Sequence, residues 1–520
     1  MAQRFKRVLP LNRVEGDLEI HLTIDEGGTV EDARSVGTMY RGFENLMKGR
    51  APLDALVIPP RICGICTTAH LNAAAEALDM LYGAQVPDNA RRLRNVTLMV
   101  EQMQNDIRHS FLLFMPDTTD SAYSKLALYP EAQRRYQPLK GETQLQTIAE
   151  TQRLLEIIAI LGGQWPHSSF MIPGGVVTVP SAADLSQCRH LLYKFRKWYE
   201  TRILGCDLDT WREVQSVAQL NEWLHMTPGH AQSDVGLLLR FGRAAGFDRL
   251  GRGHGRFITY GGPRLPQESA VEGFGDTERL FPTGIFERGT RQPLDPRRIA
   301  EDVACAYYED QGSAHPYEAV TVPRAEAGGE SEQSQKYSWA KAPRYAGHPA
   351  ETGPLADLLA AGHPLITDWV AAHGPSVLVR QLARLIRPAA LLPAADTWLR
   401  EMTTCTSPYY RQYLKRTSGK GFGTITAPRG ALGHWIRMRE GVISNYQVIT
   451  PTAWNGSPRD AKGIRGPWEE ALVGTALADP VHPIEVEHVV RSFDPCLVCT
   501  VHVVDTRNHD ARRRNENGKS

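Results

Sequence analysis

The sequence predicts an α+β fold that is predominantly helical, with one large domain and small β elements. Long segments with apolar side chains at helical spacing dominate the chain, whereas strand-like alternation is short. Two Cys-x-x-Cys pairs, Cys63/Cys66 and Cys496/Cys499, lie near opposite ends. If both pairs form one metal site, the N- and C-terminal segments must meet, and neither end can belong to a separate domain.

The composition is that of an ordinary globular protein. Hydrophobic residues make up 42% and charged residues 22% of the 520 residues, and the formal net charge is +1. This balance offers no electrostatic attraction to nucleic acid or anionic lipid, so neither is expected as a partner. No signal peptide is visible, and no stretch approaches the roughly 20 apolar residues of a membrane span. We therefore expect a cytoplasmic chain that is membrane-associated or exported only through a partner.

The first element with a clear pattern is a β-hairpin at residues 15–38. Apolar and polar side chains alternate from Leu18 to Ile24, and a Gly-Gly pair then supplies the turn. Directly after the first cysteine pair, apolar side chains at helical spacing predict a helix capped by Thr67 or Thr68.

Four further segments have helical periodicity, and two are rich in loop-forming residues. The predicted helices are residues 88–115, 141–162, 183–205 and 357–387. The predicted loops are residues 249–266 and 323–335. The glycine-rich residues 251–256 lack the spacing of a dinucleotide-binding turn.

The spacing of each cysteine pair allows two thiolates to converge on one metal, and sulfur ligands select soft ions. Cys63 and Cys66 precede a predicted helix, whose positive end favours thiolates. His70 follows Cys66 by one helical turn and is placed to hydrogen-bond its sulfur, and His502 follows Cys499 by three residues. Taken alone, such pairs are most typical of a structural zinc site, and a thioredoxin-like redox pair is a further alternative. A zinc ribbon is compact, however, whereas these pairs span the chain.

Flanking residues extend both pairs into longer sequence signatures. These are Asn12-Arg-Val-Glu-Gly16, Arg41-Gly-Phe-Glu44, Arg61-Ile-Cys-Gly-Ile-Cys-Thr-Thr-Ala-His70, Lys336-Tyr-Ser-Trp-Ala-Lys-Ala-Pro-Arg344, Ala427-Pro-Arg-Gly-Ala-Leu-Gly-His-Trp435 and Asp494-Pro-Cys-Leu-Val-Cys-Thr-Val-His502. With them the chain closely resembles the large, catalytic subunit of nickel–iron hydrogenases over nearly its whole length, and within that family it is similar to the uptake-type branch. The resemblance implies an enzyme that cleaves H2 heterolytically into protons and electrons.

The resemblance implies a nickel–iron centre held by all four paired cysteines. Cys63 and Cys496 correspond to terminal nickel ligands. Cys66 and Cys499 correspond to thiolates that bridge nickel to an iron carrying carbon monoxide and cyanide (CO and CN). Four thiolates hold soft nickel while one coordination position stays open. His70 belongs to the same cofactor-binding set.

Three further residues match catalytic positions of the family. Glu15 corresponds to the glutamate beside a terminal cysteine and is expected to relay protons. Arg429 corresponds to an arginine above the open metal position, and Asp494 to the carboxylate that orients it. Taken alone, Glu15 would more often be a surface glutamate and Arg429 a salt-bridge residue, and an aspartate before Pro495 is also a common turn-capping residue.

One segment departs from the family pattern. Aligned on His109, the family's Asp-His-x-x-His-Phe segment places Asn105 where an aspartate completes the surroundings of the arginine. Asp106 follows one residue later. An amide keeps the hydrogen-bonding capacity and loses the charge, so Asn105 and Asp106 remain alternatives for this position.

The resemblance implies a second metal ion and a removable tail near the C terminus. Glu44 and His502 correspond to ligands of a Mg2+ or Fe2+ ion that ties the end of the chain to its core. Residues 503–520 correspond to a maturation peptide that a dedicated protease removes after nickel insertion, which leaves residues 1–502 as the hydrogenase domain. Such a tail is typical of catalytic members and favours an enzyme over the alternative, an H2-sensing regulatory subunit.

The resemblance also implies partners. The chain has no cysteine pattern for an iron–sulfur cluster beyond the paired residues, so electrons must leave through an obligate iron–sulfur small subunit. We expect part of that contact near Cys63 and in residues 155–175, where His167 is a core or interface histidine. Nickel-insertion factors and a maturation protease are further partners, and heterodimers can assemble into larger oligomers. A non-catalytic relative, such as the quinone-site subunit of respiratory complex I, lacks the nickel cysteines that this chain retains.

Overall fold

The structure, a computed structural model, describes residues 5–324 and 335–499 and confirms the predominantly helical α+β fold. The α-helices are α1 Phe43–Leu46, α2 Thr67–Tyr82, α3 Asp88–Arg108, α4 Tyr129–Tyr136, α5 Glu142–Gly162, α6 Ala182–Trp198, α7 Leu208–Arg212, α8 Val217–Met226, α9 Pro228–Gln232, α10 Asp234–Ala244, α11 Pro354–Ala360, α12 Pro364–His373, α13 Val377–Thr404, α14 Pro451–Asn455, α15 Pro467–Leu472 and α16 Ile484–Ser492. The strands are β1 Phe5–Pro10, β2 Leu18–Ile24, β3 Val30–Gly37, β4 Met171–Ile172, β5 Gly175–Val176, β6 Arg256–Thr259, β7 Gly284–Glu287, β8 Thr290–Gln292, β9 Ile299–Asp302, β10 Ala342–Tyr345, β11 Gly419–Ala427, β12 Gly430–Arg439 and β13 Val442–Ile449.

The strands form small antiparallel sheets around a helical core. Three-stranded sheets have the orders β1-β2-β3, β6-β7-β8 and β11-β12-β13, and β4-β5 and β9-β10 pair separately. Buried side chains of the N-terminal sheet, of the central helices and of the C-terminal segment with Cys496 belong to one continuous hydrophobic core. Both ends of the described chain therefore contribute to the same core.

The predicted N-terminal hairpin is confirmed as β2 and β3, which pair antiparallel with Leu18 opposite Gly37. A further strand, β1, pairs with β2 and was not predicted. Its sequence, Phe-Lys-Arg-Val-Leu-Pro, does not alternate strictly, and its side chains are mostly exposed. Pairing with β2, and not its own pattern, makes this segment a strand.

Helix α2 begins at Thr67, and its N-terminal cap differs from the prediction. Cys66 precedes the first helical residue and provides no side-chain cap, and neither threonine occupies that position. The buried carboxylate of Glu101 accepts hydrogen bonds from the backbone N–H of Thr68 at 2.8 Å and of Ala69 at 2.9 Å. A side chain from α3 thus satisfies the first-turn donors of α2.

Three of the other predicted helices are present, with differences at their ends. Helix α5 agrees with the predicted residues 141–162. Helix α3 ends at Arg108 and continues as the π-helical segment His109–Phe114, and α6 likewise continues as Tyr199–Leu204. A pattern with a period of 3.6 residues does not reveal such widened turns.

The single helix predicted for residues 357–387 is wrong, because the structure has α11, α12 and α13 there. Pro364 occupies the first turn of α12, and Gly374 ends that helix with a left-handed backbone (φ +74°). These are the usual start and stop residues of helices. Helix α13 then continues to Thr404, past the predicted end.

The predicted loop at residues 249–266 contains one strand, β6, which the Gly-rich composition concealed. Residues 325–334 of the second predicted loop, and the predicted tail 503–520, lie outside the described residues. No helix in the described ranges is both long and apolar enough to cross a bilayer.

Helix α2 lies directly against strand β11 because glycines face it. An added Cβ at Gly421 would lie 2.1 Å from the carbonyl oxygen of Ala77, and one at Gly423 would lie 2.0 Å from that of Ala73. Real Cβ atoms do not approach backbone so closely. The glycines therefore set the distance between the helix that follows the cysteine pair and the largest sheet.

We expect the substitution Gly423→Ala to destabilise the protein by about 1–3 kcal/mol, since helix and strand backbones must separate. The matched control is Gly229→Ala, where the nearest atom to the new Cβ lies 3.6 Å away. The midpoint of denaturant-induced unfolding measures both. Equal midpoints for the two variants would contradict the proposed role of the glycine contact.

Candidate metal centre

Three cysteine sulfurs from opposite ends of the chain meet in the core. The Sγ of Cys63 lies 3.6 Å from the Sγ of Cys66 and 3.6 Å from that of Cys496, and all three lie within 4.8 Å of one another. Thiolates bound to one tetrahedral ion at about 2.3 Å lie about 3.8 Å apart, so this spacing suits a shared metal. The predicted meeting of the terminal segments is confirmed. Cys499 ends the 3-10 turn Leu497–Cys499, and its side chain lies outside the described part of the chain.

Backbone pairing beside Cys496 joins the two ends of the chain. Glu15 forms a parallel bridge with Cys496, and its carbonyl accepts a hydrogen bond from the N–H of Leu497 at 2.6 Å. Gly16 permits this approach, because its φ is +84° and an added Cβ would lie 2.8 Å from the backbone nitrogen of Val498. The candidate proton relay and the second cysteine pair are thus held together by main-chain contacts.

Arg41 holds the two cysteine loops together from another side, a role that the sequence did not predict. Its Nη1 donates to the carbonyl of Ile62 at 2.6 Å and to the carbonyl of Val498 at 3.2 Å, while Nη2 donates to the carbonyl of Arg61 at 3.1 Å. Arg41 lies in one of the signature segments, but spacing alone gives no indication of carbonyl partners so distant in sequence.

Arg429 lies beside the cysteine sulfurs as a buried cation. Its Nη1 donates to the Sγ of Cys66 at 2.8 Å, and its Nε donates to Oδ1 of Asp494 at 2.9 Å. Burial opposes the charged forms of both groups. Their mutual attraction outweighs it, so the pKa of Arg429 is raised and the pKa of Asp494 is lowered. Both groups are charged at neutral pH, as an arginine oriented by an aspartate requires.

Asn105 and Asp106, the two alternatives for the position where the sequence departs from the family pattern, have different partners in the structure. The amide nitrogen of Asn105 donates to Oδ2 of Asp494 at 2.8 Å, whereas Asp106 pairs with Arg384 and Arg387. Asn105 therefore occupies the position next to the Arg429–Asp494 pair. Asp106 reaches Asp494 only through Arg384, which pairs with both carboxylates.

Glu15 and His70 have environments that favour their neutral forms. Burial and the neighbouring Cys63 thiolate raise the pKa of the half-buried Glu15 above its usual value. Burial lowers the pKa of His70 to about 4, and its Nδ1 lies 3.0 Å from Nε2 of His434. His434 in turn contacts the hydroxyl of Tyr446 at 2.7 Å. The predicted hydrogen bond from His70 to the sulfur of Cys66 stays a prediction.

Glu44 lies in a second buried polar cluster. Its carboxylate accepts hydrogen bonds from Nζ of Lys341 at 2.8 Å, from the backbone N–H of Val448 at 3.0 Å and from the hydroxyl of Thr321. His502, the other predicted ligand of a hard metal ion, lies outside the described residues. The Glu44 carboxyl group is buried beside Lys341, and carboxylate oxygens are ligands that hard divalent ions prefer.

The donor set fits a soft metal and does not resemble a simple structural zinc site. The sulfurs come from distant segments, are buried and have a guanidinium within hydrogen-bonding distance. A closed zinc–tetrathiolate site needs no buried arginine with its own carboxylate partner. The arrangement places a cationic hydrogen-bond donor 2.8 Å from the sulfur of Cys66.

Comparisons with known proteins agree with this geometry. A family model described as nickel-dependent hydrogenase matches residues 41–136 and 139–502. The chain is 29% identical to the quinone-reactive Ni/Fe-hydrogenase large chain of Wolinella succinogenes, over 97% of each chain. It is 27% identical to an uptake hydrogenase large subunit of Rubrivivax gelatinosus, over 95% of this chain and 94% of the relative. The solved Ni-Fe-Se hydrogenase of D. vulgaris Hildenborough matches with a TM-score of 0.79 at 27% identity, over 96% of this chain and 100% of that one.

We expect the substitution Gly16→Ala to lower metal occupancy, because the new Cβ collides with the loop that carries Cys496. The control is Gly289→Ala, which has a similar φ of +78° and no atom within 4 Å of the new Cβ. Backbone strain of about 1–2 kcal/mol is common to both variants. Nickel and iron per chain, measured by elemental analysis, should fall in the Gly16 variant alone. Full metal content in that variant would contradict the proposed role of the terminal pairing.

Proposed function

The chain belongs to the family of nickel-dependent hydrogenases, and we propose that it is the large, catalytic subunit of an enzyme that oxidises H2. The observation that carries this proposal is the convergence of Cys63, Cys66 and Cys496 beneath the Arg429 guanidinium. A regulatory H2 sensor, the alternative, is not favoured, because the relatives are named as hydrogenase enzymes, including uptake types.

Cys63, Cys66, Cys496 and Cys499 hold a nickel–iron centre in this proposal. Cys63 and Cys496 would be terminal nickel ligands, and Cys66 and Cys499 would be ligands shared with an iron that would carry CO and CN. When bound, the centre supplies the site at which H2 is polarised and split heterolytically. The buried, clustered thiols of Cys63, Cys66 and Cys496 support this proposal, since thiolates select soft metals.

Arg429 provides a fixed positive charge at the site of H2 cleavage. Its guanidinium contacts Cys66 and is held by Asp494, which Asn105 also orients. A preorganised cation in a water-excluded site stabilises the charge that develops in the transition state. His70 remains neutral beside the centre, and its contact with His434 fixes the orientation of the two imidazole rings.

Glu15 carries the proton away in this proposal. Its backbone is fixed to Cys496, and burial together with the neighbouring Cys63 raises the pKa of its carboxyl group above the usual value, which favours uptake of a proton by the carboxylate. Glu44 and His502 bind a Mg2+ or Fe2+ ion that fastens the C terminus to the core. Hydrogen bonds from Lys341 and from the backbone of Val448 hold the Glu44 carboxylate.

Electrons leave through an iron–sulfur small subunit, the heterodimer partner that a large subunit requires. Exposed apolar side chains of Leu53 and Val57 lie just before Cys63 and suit that interface. His167 is partly exposed, and its Nδ1 lies 3.4 Å from the hydroxyl of Thr67, so it fits an interface position beside the cysteine helix. Any membrane association comes through partners in this proposal.

Maturation completes the proposed enzyme. Nickel-insertion factors load the metal, and a protease then removes residues 503–520, which leaves residues 1–502 as the hydrogenase domain. Heterodimers can associate further.

Infrared spectroscopy tests the proposed centre directly. We expect the purified heterodimer to contain about one nickel per chain, to show CO and CN stretching bands and to reduce a redox dye with H2. Zinc alone on elemental analysis, or metal-loaded protein without these bands, would remove the hydrogenase proposal.

We expect the substitution Glu15→Gln to lower kcat for H2 oxidation by roughly 100-fold or more, because the amide cannot relay a proton. The matched control is Glu19→Gln on the nearby strand β2, where the side chain is 38% exposed. Nickel content and CO and CN bands should remain those of the wild type in both variants. Wild-type turnover in the Glu15 variant would exclude this residue as the proton relay.

A further inference from the structure

Behind Arg429, charged side chains of alternating sign form a buried row. In order, the row is Arg429, Asp494, Arg384, Asp106, Arg387 and Asp357, and successive members are separated by 2.9, 3.0, 3.4, 2.8 and 2.9 Å. Each side chain is at most 2% exposed. The row connects helices α3, α11 and α13 with the β11–β12 turn, which carries Arg429, and with the loop before Cys496, which carries Asp494.

Arg387 is the member that connects the row to the backbone at Arg429. It donates to Oδ2 and Oδ1 of Asp106 at 2.9 and 2.8 Å, to Oδ2 of Asp357 at 2.9 Å and to the carbonyl of Pro428 at 2.6 Å. Pro428 directly precedes Arg429 in the turn between β11 and β12. One guanidinium thus fixes both the carboxylate behind Arg384 and the main chain that carries Arg429.

The far end of the row is anchored to two strands. The hydroxyl of Thr259 donates to Oδ1 of Asp357 at 2.6 Å, and that of Thr426 donates to the same oxygen at 3.3 Å. Thr426 lies on β11, two residues before Pro428. The turn that bears Arg429 is therefore held both by its strand and by Arg387.

Stability alone is a weak explanation for such a row. Burying ions is unfavourable by several kcal/mol each, and buried ion pairs are often no more stable than apolar replacements. A row of three arginines and three aspartates does, however, impose one orientation on its members, because a displaced guanidinium would leave a buried charge uncompensated.

We propose that Arg387 is a positioning residue for H2 oxidation: through Pro428, and through the Asp106–Arg384–Asp494 contacts, it fixes the Arg429 guanidinium beside Cys66. This inference rests on the proposed function. It assigns Arg387 no contact with substrate or metal.

The test is the substitution Arg387→Lys in the metal-loaded heterodimer. Lysine keeps the charge, but its single nitrogen cannot reproduce a planar fork that spans two carboxylates and a carbonyl. We expect unchanged nickel and iron content, shifted CO and CN infrared bands, and kcat lowered about 10- to 100-fold. The KM for H2 should change little, because the lost interaction acts in the transition state.

The matched control is Arg94→Lys, at the end of α3 opposite to Asp106. Arg94 is also buried, and it donates to Asp79 at 2.6 Å and to the carbonyls of Ile172 and Gly175 at 2.6 and 2.8 Å. It lies about 18 Å along the helix from Asp106. This variant should lower the thermal unfolding midpoint and leave kcat and the infrared bands unchanged.

Wild-type kcat and bands in the Arg387 variant, or changes that the Arg94 variant reproduces, would overturn the inference. If the Arg387 variant does not accumulate, Asp106→Asn, which preserves the side-chain shape, must shift the bands and lower kcat; wild-type values there would equally overturn it. Absence of the bands from the wild-type heterodimer would instead indicate failure of the proposed function.

Discussion

The site depends on the contact between the segment that carries Glu15 and the loop that carries Cys496. The parallel bridge between these residues fixes the register of the Cys496 loop against the N-terminal segment, and Gly16 lacks the side chain that would prevent this contact. Arg41 adds carbonyl contacts to Ile62 and Val498, one in each loop. Sulfurs from opposite ends of the chain therefore share one centre because main-chain groups, and not the sulfurs themselves, hold the loops in register.

Charge balance explains the departure at Asn105. Asp494 already accepts from Arg429 and Arg384, and the row behind it contains equal numbers of arginines and aspartates. A carboxylate at position 105 would lie against Asp494 as a like charge without a further cation. The amide donates a hydrogen bond instead, at 2.8 Å. The negative charge of the next residue, Asp106, balances Arg387, with which it forms an ion pair.

The sequence predicted the parts of this molecule that local pattern or signature spacing encodes. The convergence of the cysteine pairs, the N-terminal hairpin and helix α5 are of this kind. Three other features depend on neighbours that are distant in sequence, so a local hydrophobic period does not predict them. They are the capping of α2 by the Glu101 side chain, the π-helical turn at His109 and the close packing at Gly423. Arg384 and Arg387 of α13 show the same limit: arginines on a helix usually face solvent, and the sequence of α13 does not reveal that buried carboxylates from α3 and α11 pair with these two.

The order of folding and metal binding follows from the separation of the ligands. Cys63 and Cys496 are 433 positions apart, and closing a loop of that length costs about 6 kcal/mol in chain entropy. The hydrogen bonds between the two loops contribute about 1 kcal/mol each, which is too little to close the chain alone. Both cysteines belong to the continuous hydrophobic core, so burial of that core must bring the ends together. Burial of the core, and not metal binding, therefore supplies the free energy that closes this loop, whereas in a zinc finger metal binding supplies the folding free energy.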